Sequence, residues 1–352
     1  MRFSPARSFS SANRGVRTRS IASLRDSVGK APWVFGLAIL VTSSWLAGCA
    51  APEDRGPIAE RPVQVVATTN IVADLARQIG GDRVEVTALM GPGVDPHLYR
   101  ASEGDVGRMT SADIIVYNGL ELEGKIGEVL EQVEGRGIRT VAVAEGISED
   151  SLAASAIYEN AYDPHVWMAV PLWKTAASEL AEALTELDPT HAEAYQSRLS
   201  ETLAAYDSLD SYVRQRVGEL APEQRVLVTA HDAFGYFGRS YGFEVRGLQG
   251  ISTATEAGTR DVQDLVAFVV EREIPAMFVE SSVSPGAIEA VREAVQAGGH
   301  EVEIGGNLFS DALGQQGTPE GTYEGMIRHN VDTVVDALTG EGRGGGRDGE
   351  ES

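Results

Sequence analysis

The stretch Thr190–Leu220, THAEAYQSRLSETLAAYDSLDSYVRQRVGEL, has no proline, and its one glycine, Gly218, lies near the end. Apolar residues fall at Tyr195, Leu199, Leu203, Tyr206, Leu209, Val213, Val217 and Leu220. Steps of three and four put them on one face of a helix. About 30 residues at 1.5 Å each make a rod of roughly 45 Å, longer than one small lobe. Outward from this rod the chain alternates short β-rich runs with helical patterns. Before it come Val63–Thr68, Val84–Leu89, Ile114–Val116 and Thr140–Val143; after it come Val226–Thr229, Phe243–Leu248, Ala276–Val279 and Glu301–Ile304. Helices are expected at Asn70–Ile79, Asp261–Arg272 and Pro285–Ala297. The last has Ser284 as N-cap, Pro285 at the first helical position and Gly298 past its end. Alternating strand and helix units predict parallel sheets covered by helices. The expected fold is α/β, with two lobes, each a parallel sheet flanked by helices, joined by one long rigid helix. The lobes span 63–189 and 221–339, and the linking helix spans 190–220.

The chain has 352 residues, a length that suits two domains. Apolar residues make up 43%, which excludes global disorder. Its 29 basic and 52 acidic residues leave a net charge of −23. That charge repels nucleic acid, so a DNA- or RNA-binding role is not expected. The single cysteine excludes a disulfide framework and any Cys-rich zinc or iron–sulfur site.

Residues 1–48 hold seven basic side chains against one acid, then an apolar stretch from Ala31 to Leu46, then Leu46-Ala47-Gly48-Cys49. These are the parts of an export signal. The apolar stretch is shorter than the roughly 20 residues that span a bilayer. Leu-Ala-Gly-Cys resembles a bacterial lipobox, with cleavage before Cys49 and lipid on its sulfur. Residues 1–48 are therefore read as a lipoprotein signal peptide, 49–62 as a tether and 340–352 as a disordered tail. Without the signal, 22 basic residues face 51 acidic ones, a net of −29.

Two of the six histidines sit in one repeated phrase: Asp95-Pro96-His97-Leu98-Tyr99 and Asp163-Pro164-His165-Val166-Trp167. Each proline fixes its own φ and holds the preceding Asp extended, so each histidine is presented from a stiff turn. Asp95 and Asp163 are placed to orient the imidazoles. A third histidine, His231, directly follows the run Val226–Thr229 and Ala230. Ligands of parallel sheets bind beyond the carboxyl ends of strands. Glu280 ends one such run, and Asp311 follows another. Three imidazoles and a carboxylate suit a borderline divalent ion. His191, His300 and His329 lie at the start of the long helix, in a Gly-Gly-His turn and on a helix, and read as ordinary residues. The segment Gly119–Lys125 matches most of a phosphate-binding loop, but Ile126 stands where a Ser or Thr is needed.

The phrases DPHLY, YDPHVW, TAHDAFGYFGRSYG, LQGISTATEAG, FVESSVSP and GGNLFSDALG resemble those of the zinc/manganese/iron receptors of ABC importers, the TroA-like or ZnuA-like binding lipoproteins. The similarity runs from about Val63 to Leu338. It implies that one divalent metal is held by His97, His165, His231 and Asp311, in a cleft between lobes whose rigid connector limits closure. Glu280 is then the candidate outer anion, oriented toward His231. Some manganese-selective members have Glu at the position of His231, and many zinc-uptake members carry a His-rich loop where Glu145–Tyr162 has none. Zn2+ is expected first, Mn2+ second and Fe2+ third. The resemblance further implies an exported monomer, anchored through Cys49 on the periplasmic or outer face of the membrane, that serves an ABC permease and its ATPase and is not an enzyme. The rival from another class is a secreted zinc hydrolase, in which His97, His165 and His231 would leave an open position for water.

Overall fold

The computed structural model describes residues 55–154 and 161–340. The expected signal peptide, Cys49 and residues 341–352 lie outside the described residues. Residues 55–62, at the far end of the expected tether, already belong to the folded part. They form a short 3-10 turn at Ile58–Glu60, and Arg61 grips Asp113 with two bonds of 2.6 and 2.8 Å.

The first half runs β1 (Val63–Ala67), α1 (Asn70–Gly80), β2 (Val84–Ala88), α2 (Glu103–Thr110), β3 (Ile114–Tyr117), α3 (Gly127–Glu134), β4 (Arg139–Ala142) and α4 (Val170–Leu187). Its strands form one parallel sheet in the order β2-β1-β3-β4, with Val65 level with both Val86 and Ile114. The central strands β1 and β3 are β-branched and almost wholly buried; the edge strand β2 alternates with solvent. Thr69 caps α1 by accepting from the Val72 amide at 3.2 Å. The second half runs β5 (Val226–His231), α6 (Gly235–Tyr241), β6 (Glu244–Gln249), α7 (Thr259–Glu271), β7 (Ala276–Glu280), α8 (Gly286–Ala297), β8 (Glu303–Leu308) and α9 (Tyr323–Thr339), with α5 (Ala192–Val217) between the halves. Here the strands pair as β5-β6 and β7-β8, both parallel, with β5 beside β7.

The long helix is present but shorter than its stripe. A 3-10 turn at Pro189–His191 leads into the 26 residues of α5, about 39 Å long. Gly218 caps it, so Leu220 lies beyond its end. At the other end Asp188, almost fully buried, accepts from Arg83 at 3.0 Å, from the Tyr195 hydroxyl at 3.0 Å and contacts His191 Nδ1 at 2.9 Å. His191 is thus a structural residue. Near the far end Arg216 reaches Asp332 and Asp336 of α9 at 2.8 and 2.6 Å. Helix α8 begins one residue later than expected: Pro285, not Ser284, is its N-cap, with no side-chain cap bond.

The largest apolar core belongs to both halves. It joins Val65, Leu75, Trp173 and Leu180 to Tyr206 and Val213 of α5 and to Phe278, Leu308, Tyr323 and Val331 of the second half. Two smaller cores lie within one half each: Met90, Met109 and Leu130 in the first, Val228, Leu265 and Val291 in the second. The lobes are therefore fused along α5 rather than hinged on a bare rod. Trp173 is fully buried with its ring 5.7 Å from that of Tyr323. Trp173→Ala is expected to lower the unfolding free energy by about 3–5 kcal/mol, in one transition shared by both halves. Urea titration of the metal-free chain checks this, and two separated transitions would contradict the shared core.

Candidate metal centre

Four elements end at one buried point. The segment after β2 brings His97, the turn before α4 brings His165, the last residue of β5 is His231, and the segment after β8 brings Asp311. His97 is 5% exposed, Asp311 1%, and His165 and His231 not at all. His97 Nε2 lies 3.3 Å from His165 Nε2; His165 Nε2 is 3.4 Å from Asp311 Oδ1, and His231 Nε2 is 3.3 Å from Asp311 Oδ2. One donor atom from each residue lies within 4.8 Å of all the others. Bonds of about 2.0–2.1 Å to a tetrahedral zinc place neighbouring donors about 3.3–3.4 Å apart. The donor set thus suits one ion by its chemistry, and three of its contacts have that spacing. His231 Nε2 and Asp311 Oδ1 are buried without a hydrogen-bond partner, as atoms aimed at an ion would be.

The residues behind the donors differ from one to the next. Asp163 Oδ1 accepts from the His165 amide at 2.9 Å and lies 2.7 Å from its Nδ1, so Asp163 orients that ring. Asp95 does not do the same for His97. Its Oδ1 accepts from the His97 amide at 2.8 Å, and its Oδ2 accepts from the Thr253 hydroxyl at 2.6 Å. Glu280 stands behind His231: Oε1 accepts from the His231 amide at 2.8 Å, and Oε2 lies 2.6 Å from Nδ1, off the line of a well-directed hydrogen bond. Glu280 therefore contacts the outer nitrogen, while Asp311 faces the inner one. Gly247 of β6 makes room for this strand end. A Cβ there would fall 2.4 Å from the Asp232 nitrogen and 2.6 Å from the His231 carbonyl carbon.

The halves are stitched together on the side of His165 and Asp311. Trp167 Nε1 donates to the Ser310 carbonyl at 2.8 Å, and the Tyr323 hydroxyl donates to the Trp167 carbonyl at 2.8 Å. The Tyr236 hydroxyl donates to the Asp163 carbonyl at 2.9 Å, and Asn70 exchanges two bonds with the backbone of Leu313. Ser282 donates to Asp311 Oδ2 at 3.2 Å. Thr253 and Ser282 carry no signal in the sequence beyond membership of the phrases LQGISTATEAG and FVESSVSP, because both act on residues far away in the chain. His300 and His329 are elsewhere, against the carbonyls of Ile274 and Asn307. The Gly119–Lys125 loop is no phosphate cradle: buried Glu123 accepts from the Asn118 and Gly119 amides at 2.8 and 3.2 Å, so an acid already occupies them.

Charge distributes unevenly over the rings. Burial lowers His97 to about 3, so it is neutral at pH 7. Burial also opposes protonation of His165, but Asp163 and then Asp311 outweigh it and raise that ring to about 9. His231 is held well above the usual imidazole value, with Glu280 and Asp311 overcoming its burial. Asp311 is held well below the usual carboxylate range: burial works against ionisation, and His231 and His165 overcome it. Without an ion, protons on His165 and His231 balance the carboxylates, and the Nε2 of His97 can accept from that of His165.

The family model described as "ZnuA: Zinc-uptake complex component A periplasmic" matches residues 65–337. The chain is 48% identical over 301 residues to the manganese-binding lipoprotein MntA of Bacillus subtilis (strain 168), covering 86% of this chain and 97% of that protein. It is 50% identical over 274 residues to the zinc-binding protein TroA of Treponema pallidum (strain Nichols), covering 78% and 88%. The solved structure of the periplasmic zinc-binding protein TroA from Treponema pallidum superposes with a TM-score of 0.77 at 49% identity, over 79% of this chain and 99% of that one. With nearly the whole described chain matched and four donors converging between the halves, the protein belongs to the zinc-uptake complex component A family.

Proposed function

We propose that the chain is an extracytoplasmic receptor that captures one divalent transition metal and delivers it to an ABC importer, with His97, His165, His231 and Asp311 as the ligands. The observation that carries this reading is the buried group of four donors within 4.8 Å of one another, with three contacts of 3.3–3.4 Å among them. Cys49 is the lipidated residue that tethers the receptor as a monomer to the outer face of the membrane, near the permease and its ATPase. Among the described residues no helix is long and apolar enough to cross a membrane. Zinc is the tighter ligand on intrinsic affinity, and manganese the next candidate. Both metals occur in the names of similar proteins. Each oxygen of Asp311 faces a different histidine, so both can turn to a larger ion that accepts a fifth bond. Asp311 takes the corner that the water of a zinc hydrolase would need, which favours holding an ion over using it.

Capture on this reading is an exchange of charges. The ion replaces the protons on His165 and His231, while the Asp163 and Glu280 carboxyl groups stay behind the same rings. Binding near pH 7 should therefore release about one to two protons, measured by calorimetry in buffers of different ionisation enthalpy; release of none would contradict it. The metal-free chain should also lose stability as pH rises. A ring raised to about 9 in the fold contributes stability that is complete below its unfolded value near 6.5 and gone above about 9. The melting midpoint of the metal-free chain is expected to fall between pH 7 and 9, and that of the zinc-loaded chain to fall less. His231→Ala should weaken zinc binding by more than the roughly 10–100-fold that loss of a residue behind a ligand costs, while leaving the far-ultraviolet spectrum unchanged. An unaltered zinc titration in that variant would remove His231 from the ligand set.

A further inference from the structure

The four donors are not held alike. His165 and Asp311 lie where the halves are stitched by the Trp167, Tyr323, Tyr236 and Asn70 bonds, and His231 is fixed in the ladder as the last residue of β5. His97 rides on the turn 91–99. Among the described residues, that turn makes one hydrogen bond to the second half, from the Thr253 hydroxyl to Asp95 Oδ2 at 2.6 Å. The other oxygen of Asp95 accepts from the His97 amide. Thr253 is thus linked to the His97 backbone through a single carboxylate. It lies in the loop between β6 and α7 and is only 7% exposed. His97 also borders a cavity of about 320 Å³, lined by Leu120, Glu121, Tyr162, Pro164, Ile251 and Ser252. The loop that holds Thr253 therefore forms part of the wall of this opening.

We infer that the turn 91–99 is the movable side of the site and that Thr253, through Asp95, is the positioning residue that latches it shut. The inference rests on the metal-receptor reading. The ion passes by His97, from the side of the cavity, while the other three donors stay fixed. Opening requires the Thr253–Asp95 bond to break, together with the His97 bond to the ion. Closing re-forms both. Thr253 never touches the ion and controls how long it stays.

The test measures zinc release from the full chain into excess chelator by stopped flow, for wild type, Thr253→Val and Thr253→Ser. Valine keeps the shape and removes the hydroxyl; serine keeps the hydroxyl. A hydrogen bond to a carboxylate, once removed, should speed dissociation about tenfold or more. Valine should show that acceleration with an association rate within about twofold of wild type, and serine should restore slow release. Equal dissociation rates in wild type and Thr253→Val overturn the latch. So does equal acceleration in the valine and serine variants, or an acceleration matched by loss of thermal stability in the metal-free chain. A wild-type chain that takes up no zinc and no manganese would instead overturn the receptor reading itself, so the two failures are distinct.

Discussion

Packing three imidazoles directly against buried carboxylates is the constraint on which the structure turns. Each ring or acid alone would be costly to bury, and each tolerates burial because the others are there. The arrangement is closed electrostatically in either state: protons on two rings when empty, a doubly charged ion when loaded. Asp163 and Glu280 serve both states because they face the outer nitrogens of His165 and His231. Strand ends suit this work. Their backbone is fixed by the ladder, and their side chains project where the sheet stops.

That precision needs a stiff surround. The core that runs from β1 through α5 to α9 provides it, since a shift of either half would disturb close packing along the whole helix. The stitching near Trp167 and Leu313 extends the same rigidity to His165 and Asp311, and the ladder of β5 holds His231. On the latch inference, movement is left to the segment that carries His97.

Much of this was legible in the residues. The repeated Asp-Pro-His phrase and a histidine at a strand end pointed to three of the four residues that the fold brings together, because proline stiffness and strand placement are local properties. Choosing between Glu280 and Asp311 was not local. Both follow strands, and only the resemblance separated them; the fold assigns Glu280 to an outer nitrogen and Asp311 to the inner ones. The two aspartates of the repeated phrase look identical in sequence yet act differently: the second oxygen of Asp95 accepts from Thr253, while Asp163 turns an oxygen to the ring of His165. Partners of that kind come from more than a hundred positions away, as with Asp95 and Thr253, where periodicity carries no information. The long helix was predicted from its stripe, and its end was overrun because the stripe continues past Gly218 to Leu220. The large shared core was also invisible, since an apolar stripe does not say which lobe it will meet.

Helix α5 is pinned at one end by the knot around Asp188 and at the other by Arg216 on Asp332 and Asp336. A beam fastened at both ends bends little. A membrane partner would then find the full and empty forms in nearly the same posture. To tell them apart it must feel ångström-scale differences in surface relief or charge, so recognition of cargo becomes a matter of touch rather than silhouette.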